Sequence, residues 1–251
     1  MTTVSATAFV AALRPLLDQV VTGQAAAVQQ AADLLFGALR RGGVVQAFGC
    51  GHSEALAMEL SGRAGGLVPT NRLALRDVVL FGEATRGELA GVGLERDPAV
   101  AHQIYELARP EPVDVFVLAS HSGINGAVVE LATLVKERGH DLVAVTSLAH
   151  TARVASRHPS GRRLADIADV VLDNGAPYGD AVLPLESGGA VCAVSSVTGA
   201  LLAQMVTAEV ARRFQDAGEV PPIYLSANVP GGDEHNHTLE SRYAGRIRRT
   251  A

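Results

Sequence analysis

Hydrophobic and polar positions follow three patterns along this chain. From Ser5 to Arg41 the apolar residues recur at helical spacing: Phe9, Leu13, Leu16, Leu17, Val20 and Val21, then Val28, Ala32, Leu35 and Leu39. This predicts a long helical arm, kinked or broken at Pro15 or Gly23. Arg40-Arg41-Gly42-Gly43 ends it, with positive charge near the helix C-terminus and glycine beyond. Short apolar runs come next, at Val44–Phe48, Val115–Ala119, Asp141–Thr146 and Val170–Leu172, and each suits a strand buried on both faces. Val68–Ala74 predicts one more short strand. Helical patterns lie between them at Glu54–Gly62, from Asp97-Pro98 to Ala108, and from Ile124 to about residue 138. Arg76–Ala90 reads as loop with short helices, and His150–Arg163 as a helix then a loop. Gly188–Ala217 reads as one long, small-residue-rich helix, the most buried of the chain by pattern. Ile223–Leu225 reads as extended, and the tail as loop followed by a short helix to Arg249.

Strands alternating with helices predict an α/β fold with a parallel, doubly wound sheet and right-handed crossovers. Repeats, low-complexity stretches and interdomain linkers are absent from the pattern. The expectation is one domain over residues 1–251: a helical arm to about 41, a core to about 217, and a C-terminal tail.

Composition sharpens this picture in a few places. Apolar residues make up 48% of the chain and aromatics only 4%, so Ala, Val, Leu and Gly must do the packing, as suits helices lying close on a parallel sheet. The net charge of −5, with Lys136 the sole lysine, gives no support for a nucleic-acid partner. Cys50 and Cys192 sit in apolar surroundings and read as buried thiols of a reducing compartment. No basic-then-apolar N-terminal block and no apolar run of membrane-spanning length is present, so the expected location is cytoplasmic, away from membranes.

The chemistry concentrates where strands end. Val115–Ala119 breaks into Ser120-His121-Ser122-Gly123, and a helix follows. Small hydroxylated residues between a buried strand and a helix present free backbone N–H groups and hydroxyls, which suits an anion and above all a phosphate. An ordinary βα turn with a serine N-cap is the alternative. Gly49-Cys50-Gly51-His52-Ser53 ahead of Glu54 is built the same way. It is not a dinucleotide fingerprint, because Glu54 stands where the third glycine is required, and no nicotinamide or flavin cofactor is expected. Both loops fall at the carboxyl ends of strands, where open α/β sheets bind ligands.

The two loops, in this order, resemble those of the SIS (sugar isomerase) domain family over roughly residues 40–215; Leu164–Gly175 and Glu186 ahead of a long helix are also similar. The resemblance implies a three-layer αβα, flavodoxin-like parallel sheet, a sugar-phosphate ligand, no cofactor, and a homodimer or higher homo-oligomer. By position it implies that Ser53, Ser120 and Ser122 hold the phosphate, with Asn125 where the family often has threonine and Gly51, His52 and His121 in the same loops. His52 and His121 could donate to phosphate or to a sugar oxygen, or pack beside their turns. Glu59-Leu60-Ser61-Gly62-Arg63 is similar to the Glu-Leu-Thr-Gly-Arg stretch of phosphoheptose isomerases, whose glutamate is in the active site. Those isomerases follow a helical glutamate with histidine, whereas Glu186 is followed by Ser187-Gly188-Gly189. Phe81–Pro98 resembles the acidic segment of SIS-type muramic acid 6-phosphate etherases and offers Glu83 and Glu95 as proton-transfer candidates, Glu83 preferred, with solvated surface as the alternative for each.

The chain as a whole, Asn228–His237 included, resembles a bacterial SIS family that contains an N-acetylglucosamine-6-phosphate dehydratase. That likeness implies α-proton abstraction and β-elimination of water from an amino-sugar 6-phosphate. Glu83, Glu59 and His235 are then the candidates for acid, base and ring opening, and Glu186 and Asn236 the candidates for sugar contacts. Aldose–ketose isomerisation and non-catalytic sugar-phosphate sensing are the rival readings. Asp233, Glu234, His235 and His237 do not follow a recognised zinc spacing, so no metal is expected. His102, His140, His150 and His158 read as surface or structural.

Overall fold

A computed structural model describes residues 4–90 and 93–248. Its centre is a parallel sheet of five strands: β1 (Val45–Gly49), β2 (Thr70–Leu73), β3 (Val115–Ala119), β4 (Asp141–Thr146) and β5 (Val170–Asp173), in the order β2-β1-β3-β4-β5. Helices cover both faces: α1 (Ala6–Gly23), α2 (Ala25–Arg40), α3 (Glu54–Leu60), α4 (Asp77–Leu80), α5 (Gly93–Arg96), α6 (Ala99–Ala108), α7 (Gly126–Glu137), α8 (Leu148–Thr151), α9 (Ser195–Asp216) and α10 (Gly232–Ser241). This is the expected three-layer flavodoxin-like arrangement.

Strand residues alternate between two apolar cores, as period-two geometry requires. Val45, Ala47, Val115, Val117, Val143 and Val145 face α2, α3 and α9. Phe48, Phe116, Leu118, Leu142 and Ala144 face α4, α6 and α7. β1 and β3 pair from Val45 opposite Val115 to Gly49 opposite Ala119, so both strands end level and their loops emerge side by side.

The arm breaks where the sequence suggests. Ser5 caps α1 by accepting from the Ala8 N–H, α1 runs through Pro15, and a new helix starts after Gln24. Asp97 likewise accepts from the Ala99 N–H at 2.9 Å where α6 begins.

Three expectations are corrected. Gly188–Ala217 is not one helix: Ala181–Pro184 (β6) and Ala190–Ala193 (β7) form an antiparallel hairpin, and α9 starts only at Ser195. Gly188, Gly189 and Cys192 have φ of 91°, 79° and 68°, which a right-handed helix cannot accommodate, while the small residues around them suit either period. Nor is α9 the most buried helix, since eight of its 22 residues are buried against eight of the 12 in α7. Neither cysteine is fully buried: Cys192 is exposed on β7, and Cys50, just past β1, is half-buried. The tail helix ends at Ser241, and Arg249 lies outside the described residues. Among the described residues no helix is long and apolar enough to cross a membrane.

Candidate functional site

The strand order reverses direction between β1 and β3, and a sheet of this order opens its ligand crevice at that point. Both serine-bearing loops stand there. A β-carbon at Gly49 would collide with the Ser53 carbonyl, so only glycine lets the first loop fold back over its strand. In the second loop Gly123 takes φ 66°, and its N–H donates to Ser120 Oγ at 3.1 Å. The His121 N–H donates to Ser53 Oγ at 3.3 Å, which joins the two loops. Each of these serine oxygens accepts, so each keeps its own O–H to donate.

His52, Ser53, Ser120 and His121 line a cleft with Asn174, beyond β5, and with Ser195 and Ser196, at the start of α9. Asp180 fixes the opening of α9. Its carboxylate accepts from the N–H groups of Val194 (3.0 Å) and Ser195 (2.8 Å) and from Ser195 Oγ (2.6 Å), a favourable place for negative charge.

His121 is the unusual member of this wall. Both its ring nitrogens are buried, and neither has a hydrogen-bond partner among the described residues. Its ring meets His150 edge-on with centroids 4.5 Å apart, and His150 stacks on Tyr178 and accepts at Nδ1 from the Gly179 N–H. Burial pushes the His121 imidazole below its ordinary value, Asp180 opposes this, and His150 adds to it. A neutral imidazole has one donor and one acceptor nitrogen, and here an oxygen-rich ligand would complete both.

Glu95, on α5, lies against both serine loops without lining the cleft itself. A β-carbon at Gly126 would collide with the Arg96 carbonyl, so glycine lets α5 sit directly on the start of α7. Glu95 Oε1 accepts from Asn125 Nδ2 at 3.2 Å, and Oε2 lies 3.9 Å from where a β-carbon at Gly51 would stand. Its carboxylate therefore lies between the two loops. Burial first, then Glu95 and Glu54, pushes the Cys50 thiol up to about 12, so Cys50 is no nucleophile at neutral pH.

The other sequence candidates are dispersed. Ser122 is half-buried in the second loop, outside the cleft wall. Glu59 pairs with Arg63 and accepts from Gln204 Nε2 at 2.6 Å. Glu83 is exposed in a separate surface cleft with Glu88, Glu106 and Arg109. His235 Nε2 bonds the Ile223 carbonyl at 3.0 Å, and Asn236 brackets the backbone of Leu225 with two bonds of 2.9 Å. Glu186 is exposed in the turn between β6 and β7. Within one chain none of these six lines the cleft, nor do Gly51, Asn125 or Glu95. Asn174, Ser195 and Ser196 escaped the sequence reading. Ser195-Ser196 ahead of an apolar period is a helix-start signal, hidden when the helix is begun at Gly188. Among the described residues no cluster of His, Cys, Asp and Glu could hold a metal ion.

Comparison with known proteins places this geometry in a family. The SIS domain model matches residues 8–147. A UPF0309 protein of Listeria monocytogenes is 39% identical over 235 residues, covering 93% of this chain and 95% of the relative. A UPF0309 protein of Caldanaerobacter subterraneus is 35% identical over 236 residues, covering 92% and 94%. Among solved structures, phosphoheptose isomerase GmhA from Neisseria gonorrhoeae superposes with a TM-score of 0.55 at 21% identity, over 82% of this chain and 96% of that one. A phosphoheptose isomerase from Francisella tularensis gives 0.54 at 15%, over 82% and 95%. At such identities the structural likeness is one of fold. With the family model matching more than half of its length and UPF0309 relatives aligned over nearly all of it, the chain belongs to the SIS domain family and, within it, to the UPF0309 proteins.

Proposed function

We propose that the cleft between the two serine loops binds the phosphate ester of a sugar, and that the protein is an N-acetylglucosamine-6-phosphate dehydratase. The observation that carries this is the Ser53–His121 hydrogen bond at the switch point, which brings Ser53, Ser120 and the partnerless ring of His121 into one wall. The loop serines that line the cleft, Ser53 and Ser120, donate to the phosphate. Each such bond to a charged acceptor contributes roughly 1.5–3 kcal/mol. Ser195, Ser196 and Asn174 face the rest of the ligand.

Glu95 is the proton-transfer group of this reading, since it is the carboxylate held between the loops. In the open-chain sugar the aldehyde acidifies the C2 proton. Glu95 takes that proton, the C2–C3 double bond forms, and the C3–O bond breaks. The carboxylic acid so formed returns the proton to the departing hydroxyl, so water leaves and Glu95 is regenerated. Ring opening needs a further acid–base group. Its candidates are His235, Glu59 and Glu83 carried by a second copy of the chain in a homodimer or larger homo-oligomer, with Glu186 and Asn236 as sugar contacts from the same source.

Aldose–ketose isomerisation is the second reading, because one carboxylate in this place also suffices to move a proton between C2 and C1. Incubation with N-acetylglucosamine 6-phosphate separates the readings. New ultraviolet absorbance from an unsaturated product supports elimination; a ketose formed instead from a 2-hydroxy aldose 6-phosphate incubated in parallel, whose C2 hydroxyl can become the ketone, supports isomerisation; and binding with neither supports a sensor.

A further inference from the structure

Asn125 opens α7 as its N-cap residue, yet its side chain makes no capping bond. Asparagine in that position ordinarily turns its amide oxygen back to a free N–H of the first turn. Here the amide lies between opposite charges instead. Its Nδ2 donates to Glu95 Oε1 at 3.2 Å, and its Oδ1 accepts from Arg157 Nη1 at 2.9 Å. We infer that Asn125, backed by Arg157, is a positioning residue that holds the Glu95 carboxylate between the two serine loops, and is not a ligand of the phosphate. This inference rests on reading the cleft as a sugar-phosphate site.

The chemistry of the amide allows only one orientation. A carboxylate needs the N–H end and a guanidinium needs the oxygen end, so the two neighbours together fix the side chain. Arg157 is itself anchored, since its backbone N–H donates to the Ile124 carbonyl at 3.0 Å, one residue before Asn125. On the other side, the close contact of Gly126 with the Arg96 carbonyl brings α5, and with it Glu95, within reach. A threonine hydroxyl is too short to bridge both partners. An aspartate would set a second carboxylate against Glu95. Asparagine alone has the length, the donor and the acceptor together.

The test combines kinetics and calorimetry with N-acetylglucosamine 6-phosphate on the full chain. The variants are Asn125→Ala, Arg157→Ala, Glu95→Gln and the double variant Asn125→Ala/Glu95→Gln, with Ser120→Ala as the binding control. Asn125→Ala is expected to lower kcat at least about tenfold, part of what a well-placed general base contributes. Its Kd should stay within about twofold of wild type, while Ser120→Ala loosens Kd. Arg157→Ala should lower kcat in the same direction by less. Because Asn125 acts through Glu95, the double variant should be no slower than Glu95→Gln alone. The inference is overturned if Asn125→Ala loosens Kd about tenfold with kcat retained, or if the losses multiply in the double variant. A wild-type protein that neither binds nor converts sugar phosphates defeats the underlying reading instead, and this inference falls with it.

Discussion

Removing the Ser120 hydroxyl should have two separable consequences. Ser120 is 8% exposed, stands at the end of β3, lines the cleft, and accepts from the N–H of buried Gly123 at 3.1 Å. In Ser120→Ala that N–H loses its acceptor, a loss of about 1–3 kcal/mol for a buried donor. For a chain of this size each kcal/mol lowers the melting temperature by about 2–4 °C. The second consequence concerns the ligand. If the Ser120 O–H donates to a phosphate oxygen, its loss removes about 1.5–3 kcal/mol of binding, or roughly 10- to 160-fold in Kd. Differential scanning calorimetry of the apo protein measures the first, and isothermal titration with N-acetylglucosamine 6-phosphate the second. A lowered melting temperature with Kd unchanged would make Ser120 a turn residue only, and the reasoning that puts a phosphate beside it would be refuted.

Other consequences follow from the same geometry. Gly126→Ala puts a methyl group against the Arg96 carbonyl, so it should cost about 1–3 kcal/mol in denaturant unfolding, and by displacing α5 it should reduce turnover more than it weakens ligand binding; full activity would refute the placement of Glu95. Burial holds the His121 and His150 imidazoles below the ordinary histidine value, so the unfolded chain binds protons that the folded chain does not. Stability should therefore fall as the pH drops from about 7.5 through about 6.5, the ordinary histidine value, and level off below the folded value; His121→Asn should flatten that slope in urea titrations at a series of pH values. A dianionic ligand beside His121 opposes the effect of burial, so binding should take up protons, measurable as a buffer dependence of the titration enthalpy. Finally, a thiol reagent at neutral pH should modify exposed Cys192 in the native protein and Cys50 only after denaturation, because burial and its acidic neighbours hold the Cys50 thiol up at about 12.

Residues 115–119 and 141–146 show why much of the fold was legible in the sequence. Their apolar runs are buried on both faces, so composition and length alone fix them as central strands, and the structure has β3 and β4 at those residues. The serine loops were legible for a related reason: a strand that stops abruptly at Gly and Ser leaves the chain one short route into the next helix. The hairpin of β6 and β7 was not legible. Its Ala, Val and Gly residues fit helix and strand alike, and the left-handed φ of Cys192 has no sequence signal. Glu95 and Glu83 look alike in a segment of scattered glycines and glutamates. Only the tertiary contact of Arg96 with Gly126 separates them, carrying Glu95 to the loops while Glu83 stays on the surface. The tail is a different case. The density of polar groups around His235 and Asn236 suggested chemistry, and in the structure it holds α10 against the backbone of Ile223 and Leu225.

The most direct test of the sugar-phosphate site is a crystal structure of the protein with N-acetylglucosamine 6-phosphate bound. The phosphate should lie within hydrogen-bond distance of the Ser53 and Ser120 hydroxyls and beside the His121 ring, with C2 of the sugar toward Glu95. A phosphate seated elsewhere on the chain, or a cleft left without ligand at saturating concentration, would contradict the account.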